Sequence, residues 1–94
     1  MSTVLDINVT PDDIRRGIPR DALACPIGLA VRRTIGGEGD CVVLVDNESV
    51  FLLGSSSSLV AALPISAVEF TRKFDDDNKV YPFDFTIELT EELT

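Results

Sequence analysis

Between Val4 and Val9 apolar and polar side chains alternate: Leu5, Ile7 and Val9 are separated by Asp6 and Asn8, the two-residue period of a strand with one wet face. Phe83, Phe85, Ile87 and Leu89 repeat that pattern against Asp84, Thr86 and Glu88, the clearest strand signal in the chain. Cys41 to Val45 and Val50 to Leu53 are short and rich in strand-forming residues, and Asp46-Asn47-Glu48-Ser49 between them has turn composition, which predicts a hairpin. Gly54 to Ser58 is a polar linker too short to divide domains, and Leu59 to Leu63 is a further strand before Pro64.

The remaining segments carry helix signals. Thr10 suits a cap, Pro11 the first helical position, and Asp12 and Asp13 the positive end of the dipole, with Gly17 and Pro19 stopping the helix after about two turns. A second helix starts at Cys25-Pro26, because Pro26 cannot occupy a helix interior. Ile27, Ala30 and Val31 share one face with Leu29 beside them, Arg32 and Arg33 fall in the last turn, and Gly36, Gly37 and Gly39 form the exit loop. A third helix starts after Pro64, with Ala67, Phe70 and Phe74 at helical spacing, Ile65 and Val68 widening the stripe, and Arg72 and Lys73 closing it; Asp75 to Asn78 is a turn. The order β-α-α-β-β-β-α-β predicts an α+β fold: a small, mainly antiparallel sheet of about four or five strands with two or three short helices on one face. Residues 1–94 are expected to form a single compact domain, frayed from Thr90 to Thr94.

Composition narrows the chemistry. The chain holds 94 residues, 45% hydrophobic and 26% charged, with no apolar run of membrane-spanning length and no basic or cleavable apolar segment at its start, so a soluble cytoplasmic protein is expected. It has no histidine, and its two cysteines are too few for a cysteine-only zinc site, so no metal or cofactor is expected. Cys25 and Cys41 permit one disulfide, which an intracellular chain with an adequate core neither needs nor easily keeps. The net charge of −8 is uneven: five arginines against four aspartates before residue 38, three basic against twelve acidic residues from there on. The acidic second half argues against direct nucleic-acid binding.

Two stretches carry a resemblance. Asp13-Ile14 through Gly17, Asp21 and Cys25-Pro26-Ile27 with Ala30, followed by Leu63-Pro64, Ala67, Phe70, Phe74-Asp75, Val80, Pro82-Phe83 and Phe85, resemble short uncharacterised proteins of actinobacteria and their bacteriophages, over most of the chain. This chain has Gly28 where such proteins often have alanine, and Asp77 where they often have glycine. The resemblance implies a compact fold and an actinobacterial or phage origin but brings no catalytic mechanism; for a phage-encoded chain the expected location is the host cytoplasm, and the charge asymmetry makes a host-encoded protein the expected partner.

The candidate sites are few. Cys25, capping a helix N-terminus near Arg20, is the candidate reactive thiol, set against its role as a small buried residue before Pro26. Arg15, Arg16, Arg20, Arg32 and Arg33 make a cationic patch if the first two helices lie side by side, or else only complement two helix C-termini. Asp75, Asp76 and Asp77 lack the spacing of a calcium loop and read as a solvated turn; with Glu88 they belong to an acidic interaction surface. Gly36-Gly37-Glu38-Gly39 lacks the ending of a phosphate loop, and paired carboxylates alone do not make a glycosidase. The expected function is a non-enzymatic acidic protein-interaction module. The alternatives are a nucleic-acid mimic that occupies a DNA-binding protein, a thiol enzyme or redox sensor using Cys25, and a homo-oligomer formed through an exposed strand edge.

Overall fold

The computed structural model describes residues 3–36, 42–46, 48–54 and 58–91. Among these residues eight elements follow one another: β1 (Thr3–Val9), α1 (Pro11–Arg16), α2 (Pro26–Thr34), β2 (Val42–Val45), β3 (Ser49–Leu53), β4 (Ser58–Ala62), α3 (Ile65–Asp75) and β5 (Phe83–Glu91). The fold is α+β, with every strand pairing antiparallel in the order β1-β5-β4-β3-β2. The glycine-rich exit loop beyond Gly36, Cys41 with any disulfide to it, Asn47 in the hairpin turn, the centre of the serine linker and residues 92–94 lie outside the described residues.

β5 joins two wings of the sheet. Thr3 to Val9 pair with Leu89 back to Phe83, whereas Leu59 and Val60 of β4 pair with Glu91 and Thr90. Thr90, expected to fray, is therefore a paired strand residue, because β4 offers it a hydrogen-bonding neighbour that a local reading of the chain does not reveal. α2 packs against both β1 and β2, the two edge strands, so the sheet curls around this helix. Ile7, Val9, Ile27, Val31, Val43, Val50 and Ile87 fill the concave side and are almost fully buried.

Local chemistry sets the helix ends. Thr10 and Asp13 form a reciprocal capping box: Thr10 Oγ1 accepts from the Asp13 amide at 3.2 Å, and Asp13 Oδ2 accepts from the Thr10 amide at 2.9 Å. A Cβ on Gly17 would lie 2.6 Å from the Pro26 ring, so a side chain there would block the approach of the α1 exit to the start of α2. Gly36 follows α2 with φ +100°, a conformation that suits glycine. α3 ends in a Schellman motif, with the Asn78 amide bonded to Lys73 O and the Asp77 amide to Phe74 O, and Asp77 takes the left-handed position at φ 62°.

On α3, Ala67 and Phe70 are buried, and Phe70 lies 4.9 Å from Phe83 between ring centroids. Ile65 does not widen this stripe; it is 77% exposed. Two residues of helix turn the chain by roughly 200°, so Ile65 points away from the Ala67 face, and the place beside Phe70 belongs to Thr71.

Candidate interaction surface

Arg20, Cys25 and Asp75 converge where the loop between α1 and α2 meets the end of α3. Arg20 adopts φ 60°, its amide donates to Asp75 Oδ1 at 2.8 Å, and its guanidinium donates to the Asp75 carbonyl. Together with Asp46 and Thr71 they border an open cleft of about 350 Å³. Its polar groups are mostly committed to shaping the chain: Asp21 Oδ1 accepts from the Leu23 and Ala24 amides, and Asp46 Oδ1 from those of Glu48 and Ser49. Thr71 Oγ1 is buried and has no hydrogen-bond partner among the described residues.

Cys25 caps α2, its Sγ accepting from the Gly28 amide at 3.4 Å, and the residue is only 5% exposed. Burial pushes its thiol up, hydrogen bonds from the Gly28 and Ile27 amides act in the opposite sense without overcoming it, and the Asp75 charge adds to the rise. The direction is opposite to the lowering expected from the helix dipole and Arg20. A protonated, enclosed sulfur is a poor nucleophile.

The five arginines of the expected patch go separate ways. Arg15 and Arg16 pair with Asp12 on their own helix, and Arg20 turns toward α3. Arg33 ties three elements together, bonding Asp13 Oδ1 at 2.5 Å and the Asn8 carbonyl at 2.6 Å. Asp13 is 4% exposed; burial alone would raise its pKa, but hydrogen bonds from Arg33 and Thr10, with the Arg33 charge, hold its carboxyl below the ordinary range. Arg32 is exposed and has no ion pair among the described residues.

The described acids are likewise divided among β1, α1, the loop before α2, the β2–β3 turn, the middle and end of α3, and β5. Asp75, Asp76 and Asp77 sit at the α3 terminus, whereas Glu88 lies on β5, outside the concave side that α3 helps to fill. No group of three or more metal-ligating side chains occurs among the described residues. No helix among them is long and apolar enough to cross a membrane.

The convex side of the sheet carries a feature that the sequence reading missed. Register places Leu44, Phe51, Val60 and Thr90 in one row across β2, β3, β4 and β5, with Val42 and Leu53 as a neighbouring pair. None of the apolar members belongs to the buried core or packs against it; Val42 is 40% and Leu53 37% exposed, and Leu44, Phe51 and Val60 are half-buried. At ~4.8 Å per strand the row is roughly 14 Å wide. Across β5 the same side turns acidic: Asp6 accepts from the Thr86 hydroxyl, Asp84 from the Asn8 side chain, and Glu88 stands opposite Val4. The signal was present in the runs Val42-Val43-Leu44-Val45 and Val50-Phe51-Leu52-Leu53, which lack the alternation of β1 and β5 and are apolar on both sides.

At the sheet edge, the Val45 amide donates to the Ala22 carbonyl at 2.9 Å, so the loop before α2 occupies part of the outer side of β2. Comparison with protein-family models, curated proteins and solved structures finds no match for the chain.

Proposed function

We propose that the chain is a non-enzymatic protein-interaction module that docks its partner on the convex side of the sheet. The carrying observation is the row Leu44–Phe51–Val60 with Val42 and Leu53, an apolar surface outside the core on strands whose other side is already packed. Contiguous apolar surface left toward solvent is costly to keep and is characteristic of interaction sites. The thiol-enzyme alternative has less support, since Cys25 is enclosed and its thiol is pushed up. A nucleic-acid mimic needs a dense phosphate-like stripe, whereas the described acids are divided among several elements and Asp12 and Asp13 are neutralised by arginines.

Photo-crosslinking tests this reading. A benzophenone side chain is placed at Phe51, and in a second protein at Glu69, an exposed position on α3. In a lysate of the cells that naturally make the chain, the Phe51 probe is expected to yield a discrete adduct that the Glu69 probe does not. Equal labelling from both positions, or none from Phe51, contradicts the proposal.

A further inference from the structure

Resting on that docking reading, we infer that the occupant of the convex face is a basic amphipathic segment of another protein, its apolar stripe on β2–β4 and its lysines or arginines over β5 and β1. The apolar and acidic parts of the face are contiguous. Thr90 lies beside Val60, and Glu88 is two residues along β5 on the same side, roughly 7 Å away at strand rise. Asp6, beside Thr86, and Asp84 continue the acidic stripe. The outward residues of β1 and β5, from Val4 to Asn8 and from Asp84 to Thr90, include no lysine or arginine, and among the described residues Asp6, Asp84 and Glu88 form no ion pair.

Charge decides between occupants. A second copy would bring another net charge of −8 against a face that already carries Asp6, Asp84 and Glu88, and it would satisfy only the apolar half. An anionic lipid surface would be repelled for the same reason. A segment with one apolar and one basic side satisfies both halves and would be steered toward the face before contact. Width fits as well: a helix is about 10–12 Å across with its side chains, close to the span from Leu44 to Val60 at two strand spacings.

The test uses a helical peptide of about 18 residues with leucine at core-facing positions and lysine elsewhere, and a counterpart with glutamate in place of lysine. Fluorescence anisotropy with the full chain is expected to show binding of the lysine peptide that weakens as salt rises from about 0.05 to 0.3 M, and roughly tenfold weaker binding of the glutamate peptide. Neutralising the stripe with Asp6→Asn, Asp84→Asn and Glu88→Gln should weaken the lysine peptide about tenfold, as should Val42→Ser with Leu53→Ser. The same charge removed elsewhere, by Glu69→Gln, Asp76→Asn and Asp77→Asn, should change it by less than about twofold. Circular dichroism confirms that each variant is folded before it is scored.

Equal binding of the two peptides, or equal loss from the remote neutralisation, overturns the inference. If neither peptide binds while the Phe51 probe still gives its adduct, the partner chemistry is wrong and the docking reading stands. If that adduct is also missing, both fall.

Discussion

Asp13 is the residue at which sequence, structure and stability meet most closely. The acid expected only to favour a helix dipole is instead the buried partner of Arg33 and the reciprocal half of a capping box. Its folded pKa lies below the ordinary value of 3.8, so its stabilising contribution is present above the unfolded pKa and is lost as pH falls through the folded one. Asp13→Asn should cost about 2 kcal/mol at neutral pH, because a charged hydrogen-bond network is broken around a buried group. Urea titrations at pH 7 and below pH 3 check it: the gap between the natural chain and the variant should shrink in acid. Cys25 gives an independent residue-level prediction. Its buried, protonated thiol should react with a maleimide far more slowly in the folded protein than in urea; equal rates would restore it as a reactive centre. Residue identity announced that Cys25 was a cap, but enclosure by distant elements decides whether its sulfur is accessible, and no local pattern carries that.

At the scale of elements, the alternating strands and capped helices were readable because their signals are local. β1 and β5 show a two-residue period, and Thr10, Pro11 and Pro26 mark helix starts. What needed the fold was pairing: Thr90 becomes ordered through Val60, and Ile65 is exposed because its angle on α3 differs from that of Ala67. Asp77 supplies the prediction at this scale. It holds a left-handed C-terminal position that glycine occupies more readily, so Asp77→Gly should be stabilising by about 0.5 kcal/mol, read as a higher thermal midpoint. A clear loss of stability would mean that the Asp77 side chain makes a contribution beyond closing the helix.

For the whole molecule, the contrast between the two wings matters more than net charge. The β1–β5 wing is apolar inside and acidic outside, whereas the β2–β4 wing is apolar on both sides, and the packed helices cover only the concave one. The runs in β2 and β3 could be read from sequence, but they suggested an exposed edge; only the register shows that they assemble an apolar face outside the core. The arginine patch dissolved for a related reason, since three-dimensional pairing assigns Arg15, Arg16 and Arg33 to acids that linear charge counting treats as free.

The most direct test of the convex face is methyl NMR of the isotope-labelled chain titrated with the lysine–leucine peptide. The expected result is shifts concentrated at Val42, Leu44, Leu53 and Val60, with Val45, beside the Arg20–Asp75 cleft, and Val68, on α3, unchanged. Shifts centred on Val45 and Val68, or scattered evenly over the molecule, would contradict the assignment of this face as the docking surface.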